Sequence, residues 1–294
     1  MSKRILVINP GSTSTKIAVF DGDQKLFDET LRYSNEELRP FSWIMDQVEF
    51  RRATIEAALA RHQFDAHTLD AICARGGQVP FCATGTYQVN QAMVDYMYTK
   101  KLAAHASNLG CVLALQLAAP LNIPAYICDP VMVDEMDDVA RITGLPDIQR
   151  KMMGHALNCR AMAIRCARDV LHKPLAECRL IVLHLGGGSC RLFIGGHMVD
   201  DVRDDEWMFA PERFGGADTQ SVIELCFSGK YTKDQLMRFV RGKGGLLAHL
   251  GTCSAIEVEQ RIAAGDAHAK LVYEGMLYSV SKAIGGLAAA AEGR

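Results

Sequence analysis

RILVINPGSTSTKIAVF, residues 4–20, decides the reading of the fold. Residues 5–8 form an apolar, β-branched run, and residues 16–20 form another after Lys16, the pattern of one strand entering a turn and a second leaving it. Between them lie Asn9, Pro10, Gly11, Ser12, Thr13, Ser14 and Thr15, with one glycine to let the backbone bend and five side chains that end in a hydroxyl or an amide. Any antiparallel hairpin needs a polar turn of this kind. The same set of donors can also line a phosphate.

A second copy separates these readings. RLIVLHLGGGSCRLFI, residues 179–194, aligns with residues 4–19 without a gap at a constant offset of 175, that is 179 minus 4. Gly11 falls on Gly186, Ser14 on Ser189, Lys16 on Arg191 and Asn9 on His184. Two hairpins of one design, far apart in the chain, imply two related lobes.

A duplicated hairpin with two phosphate-binding turns resembles the actin-like ATPase superfamily of acetate and sugar kinases, heat-shock chaperones and actin. Within it, INPGSTSTKIAVFD, ARGGQ, GTYQVNQAM, HASNLG, ICDPVMVDE, HALN, HLGGGS and APERFGG resemble butyrate kinase of the acetate kinase family, over nearly the whole chain. The resemblance implies an α/β, two-lobed ribonuclease H-like duplication with a nucleotide in a central cleft. The expected lobes are residues 1–172 with the first hairpin and 173–294 with the second.

Composition agrees with such a protein. At 294 residues and 49% apolar content the chain exceeds what one core usually fills. Its 32 basic and 34 acidic residues nearly balance, which argues against an electrostatic hold on nucleic acid or an anionic membrane. The ten cysteines form no C-x-x-C pair and no zinc-like spacing. Several, such as Cys111, Cys166 and Cys226, lie in apolar runs and read as buried reduced thiols. No signal peptide or membrane span is legible, so a soluble cytoplasmic protein is expected.

After the first hairpin, residues 25–31 read as a third strand, and Ser34 with Glu37 as a capping box before a helix through Phe50 and Ala60. Residues 69–74 return as a buried strand ending on Arg75-Gly76-Gly77. An arginine at a strand's carboxyl end, followed by two glycines, is placed to meet an anion, although an ordinary surface arginine has the same setting. Residues 111–119 read as a helix, with Ser107 or Asn108 as its cap and His105 as a neighbour or weak site candidate. The strand at residues 123–128 ends on Asp129, where a carboxylate can orient magnesium or simply open a turn before Pro130. Asp134, Glu135, Asp137 and Asp138 read as a solvated acidic face, and residues 151–171 as a long helix that contains His155 near its start.

In the second hairpin, Gly186-Gly187-Gly188-Ser189 would let backbone N–H groups approach phosphates without side-chain clash. Arg213 in APERFGG is a second arginine for a phosphoryl-transfer site, where bidentate donors stabilise charge on the equatorial oxygens. Glu212 and Arg213 as a surface ion pair is the blander alternative. Residues 190–193 and 203–208 depart from the family's small and glycine-rich wording.

The resemblance implies Asn9, Ser12, Ser14, His184, Gly186, Gly187, Gly188 and Ser189 on the phosphates of ATP or ADP. It also implies Arg75 and Arg213 on the transferred group, Asp129 towards Mg2+ and His155 as a donor. The expected reaction is reversible phosphorylation of butyrate or a branched analogue to an acyl phosphate, in a homodimer. Acetate or propionate kinase, or a non-catalytic nucleotide-binding relative, are the rival readings. By the same resemblance, a further strand, a glycine-rich turn and a closing helix are expected beyond Arg294.

Overall fold

The computed structural model describes residues 2–99, 102 and 105–293. By its contacts the chain divides into two compact units, up to Asp134 and from Glu135 onward, against the 172/173 boundary expected from the repeat.

In the first unit the opening hairpin folds as its apolar alternation dictates. Strand β1 (Arg4–Pro10) buries Leu6 and Ile8, and β2 (Ser14–Asp21) buries Ile17 and Val19. The two run antiparallel with Val7 opposite Ala18, and β3 (Gln24–Arg32) continues the meander beside β2. Ser34 and Glu37 form the expected capping box on the short helix α1 (Asn35–Leu38), and α2 (Val48–Arg61) follows. Next come β4 (Ala71–Arg75), β5 (Thr86–Gln88), α3 (Gln91–Met97), α4 (Leu109–Ala118) and β6 (Ala125–Cys128). Strand β4 joins β1 in parallel and β6 joins β4 in parallel, each connection passing through helices, as parallel neighbours require. The sheet order is β3-β2-β1-β4-β6-β5. Ile55, Leu109, Leu113 and Ile127 belong to the core beneath it.

The second unit opens with α5 (Asp138–Arg141) and α6 (Ala156–Cys166), the latter extended by a π-helical turn through Leu171. The long helix expected from residue 151 therefore begins only after His155. Strands β7 (Arg179–His184), β8 (Ser189–Ile194) and β9 (His197–Val202) form an antiparallel sheet in that order, repeating the first three strands of the first unit. Helix α6 packs on β7 and carries the buried Cys159 and Ala163, which places it with the second sheet. Helices α7 (Thr219–Phe227), α8 (Lys233–Val240), α9 (Gly245–Leu250), α10 (Ala255–Ala263) and α11 (Ala267–Ala290) complete the unit. Val280, Ala283 and Leu287 of α11 pack against Cys190, Leu192 and Val202.

Two surface expectations change. Glu135 is not part of a solvated face, because its Oε2 accepts the Met198 N–H at 3.2 Å and its side chain is 9% exposed. Cys226 is exposed and Cys166 half-buried, while Cys111 is buried as expected. No helix among the described residues is long and apolar enough to cross a membrane.

Candidate active site

The first turn is held from behind. Gly11 N–H donates to Ser14 O at 2.7 Å, closing the loop between β1 and β2. Arg51, fully buried on α2, donates through Nη1 to Gly11 O at 2.7 Å, Ser14 O at 3.0 Å and Thr15 Oγ1 at 3.1 Å. Its Nη2 reaches Ser12 O at 2.9 Å. Asn9 and Ser12 lie exposed and Ser14 half-buried. The sequence reading passed over Arg51, yet a signal was there: it stands three residues after Val48 and four before Ile55, on the helix's apolar face.

In the same unit Arg75 ends β4 half-buried, and burial pushes its guanidinium below the usual arginine range. The glycines that follow serve packing. A Cβ at Gly77 would stand 2.7 Å from Asn108 Oδ1, and one at Gly76 would stand 2.6 Å from Pro130 Cβ. Asn108 is not the expected side-chain cap; its Oδ1 accepts the Gln78 N–H at 2.9 Å and fixes the segment after Arg75. His105 caps the 3-10 turn Ala106–Asn108 that leads into α4, its Nδ1 accepting from Ser107 N–H at 3.2 Å. Asp129 adopts a left-handed φ of 36° and exchanges two bonds with Gly85, its Oδ1 accepting the Gly85 N–H at 2.8 Å. Beside these residues Cys73 Sγ and Cys128 Sγ lie 3.4 Å apart.

The second unit gathers another set. His184 Nδ1 accepts the Gly187 N–H at 2.9 Å, so a neutral His184 carries its proton on Nε2, where it can donate. The ring of His155 stacks on that of His184 at 4.2 Å, and His155 Nδ1 lies 3.2 Å from Ser189 Oγ. Gly187 is required here, since a Cβ would stand 2.5 Å from His155 Cε1. Gly188 has φ +71°, and a Cβ on it would stand 3.4 Å from Arg213 Cγ. Four expected residues, His155, His184, Ser189 and Arg213, thus converge on one glycine turn. The amides of that turn are less open than expected, because Gly187 N–H and Gly188 N–H (2.9 Å to His184 O) are both spent on His184.

Strand register also corrects the gapless repeat by one residue. Pro10 pairs Thr15 across the first turn, whereas His184 pairs Ser189 across the second. By pairing, His184 corresponds to Pro10 and not to Asn9.

The divergent residues 190–193 and 203–208 have structural work. Arg191 is fully buried, lies 3.3 Å from the equally buried Asp201, and donates to Met153 O at 3.0 Å, bracing the approach to His155. Burial pushes the Asp201 carboxyl up to about 6. Asp204 lies 3.0 Å from Arg213 Nε, an ion pair whose N–H is not aimed at the oxygen, and 3.7 Å from Arg241. Burial raises Asp204 above the usual carboxylate range. Glu206 takes Arg150 in a two-pronged grip at 3.0 Å on each side. Arg213 therefore pairs with Asp204, a partner the sequence reading did not identify, and not with Glu212.

Among the described residues no group of three or more His, Cys, Asp or Glu could hold a metal ion. A magnesium–nucleotide needs only one or two carboxylates, because phosphates and waters fill the remaining positions; Asp129, the carboxylate expected there, already accepts the Gly85 N–H through Oδ1.

These features define an α/β protein of the actin-like ATPase fold. Three solved structures are similar to it over almost its full length. They are acetate kinase from Porphyromonas gingivalis (TM-score 0.78, 19% identity, covering 98% of this chain and 80% of that one), a propionate kinase from Francisella tularensis subsp. tularensis (0.74, 17%, 97% and 80%) and acetate kinase from Entamoeba histolytica (0.71, 15%, 98% and 79%). No family model matches the chain. At these identities the likeness establishes the acetate kinase type of fold and does not single out a butyrate-specific relative.

Proposed function

We propose that the protein is a carboxylate kinase that transfers the γ-phosphoryl group of ATP to a short-chain acid, butyrate or a branched analogue, giving an acyl phosphate and ADP, reversibly. The convergence of His155, His184, Ser189 and Arg213 on the Gly186–Gly188 turn, in a chain with the acetate kinase type of fold, is the observation that carries this reading.

The acid's carboxylate oxygen is already a nucleophile, so no base is required. It forms a bond to the γ-phosphorus as the bond to the ADP oxygen breaks, and catalysis is positioning and charge neutralisation. In this reading the turn at residues 11–14 and the turn at 186–189 hold phosphates. Arg75 and Arg213 stabilise the equatorial oxygens, and His184 Nε2–H and His155 donate hydrogen bonds. Magnesium, when bound, supplies neutralisation of the phosphate charge, with Asp129 as the residue that would orient it.

Trapping the acyl phosphate with hydroxylamine, with ATP and acetate, propionate, butyrate or isobutyrate as acceptor, tests the assignment. Hydroxamate with butyrate or isobutyrate in preference to acetate is expected. A preference for acetate or propionate would overturn the butyrate assignment, and no product with any acid would overturn the carboxylate kinase reading.

A further inference from the structure

Arg51 combines complete burial with an absence of counter-ions. Its Nε and Nη2 donate to Gln47 Oε1 at 3.0 and 2.8 Å, its remaining donors go to the first turn, and its guanidinium stands 4.7 Å from the centre of the Tyr33 ring. Every one of these partners is neutral, and among the described residues no carboxylate lies within ion-pair distance of it. Burial pushes its pKa down, the mark of a charge removed from water. A buried charge is normally paired, because desolvating it alone is costly.

The geometry of the turn says where the missing partner belongs. Arg51 draws the carbonyls of Gly11 and Ser12 towards itself. In a trans peptide the N–H points opposite to the C=O, so the N–H groups of Ser12 and Thr13 face away from Arg51, towards solvent. Among the described residues neither N–H has a hydrogen-bond partner. A positive charge behind a turn and free N–H groups in front of it are complementary to an anion.

We propose that Arg51 is a positioning residue whose counter-ion is the bound polyphosphate itself: it fixes the first turn by its carbonyls and supplies, through the turn, the positive charge that attracts a nucleotide's phosphates. This rests on the reading of the turn as a phosphate grip. Gln47 then has a purpose, since its neutral amide oxygen satisfies two Arg51 donors without cancelling the charge.

Gln47→Glu is the test. It keeps the oxygen acceptor and adds the missing carboxylate, so a purely structural arginine and a field-supplying one respond differently. The readouts are the thermal midpoint and Mg-ADP binding to the full chain by calorimetric titration. Gln47→Glu is expected to melt at or above the wild-type temperature while binding Mg-ADP about tenfold more weakly. Arg51→Lys, which keeps the charge and loses the fork, is expected to melt lower and to retain more affinity than Arg51→Met. Unchanged affinity in Gln47→Glu, or a lower melting point for it, overturns the counter-charge role alone. Wild-type protein that binds no Mg-ADP overturns the phosphate-grip reading as well.

Discussion

Arg213 and Asp201 show how single side chains in the second unit can be tested separately. Arg213 Nε lies 3.0 Å from Asp204 without a hydrogen bond, and its flat, forked cation is one that lysine cannot copy. Arg213→Lys is therefore expected to lower the turnover rate of acyl phosphate formation about a hundredfold, with Mg-ADP affinity much less affected. Hydroxamate trapping and calorimetry read the two separately. Asp201 makes a pH prediction. Burial raises its folded pKa to about 6, above the roughly 3.9 of an unfolded aspartate, so its contribution to stability is fully present below the unfolded value and is lost as pH rises through about 6. Relative to Asp201→Asn, which does not titrate there, wild-type stability should fall by up to roughly 3 kcal/mol between pH 4 and 7. Urea denaturation at each pH measures this, and a flat difference would show that Asp201 is already ionised at pH 4. The setting of Asp201 was not legible in the sequence, because Arg191 and Asp201 are ten positions apart and meet only through the pairing of β8 with β9.

At the scale of the element, the second turn is the most tightly specified. Gly187→Ala places a methyl group 2.5 Å from His155 Cε1 and 2.7 Å from His184 Nδ1, so the stacked rings must part. A loss of about 1–3 kcal/mol in stability is expected, together with weaker Mg-ADP binding. Thermal melts and calorimetry on the variant check both, and retention of wild-type affinity would remove that turn from the site. The elements themselves were largely readable. The first hairpin and the capping box at Ser34 follow from local periodicity and cap chemistry. Local pattern failed at residues 151–155, whose lysine and methionines suit a helix but which form none, with Gly154 at φ +109° and Met153 O taken by Arg191. The one-residue difference between the two turns was equally hidden, because gapless alignment compares letters while pairing is set by strand hydrogen bonds.

For the whole molecule, the proposed function assigns phosphate contacts to both turns. Hydrogen exchange at the amides of residues 11–14 and 185–188 should therefore slow together when Mg-ADP is added. Protection of one turn alone would overturn the two-grip mechanism. Saturation to about 100 times Kd should also stabilise the chain by about 2.7 kcal/mol, seen as a rise in the thermal midpoint. The sequence alone determined the repeated hairpins and the α/β class, because strand alternation, turn chemistry and an internal repeat are written in neighbouring letters. Only the tertiary structure decided that Arg51 sits charged and unpaired behind the first turn, that Asp204 holds Arg213, and that α6 belongs with the second sheet. Those facts depend on which distant groups share a buried space, and burial is a property of the packed chain and not of its order.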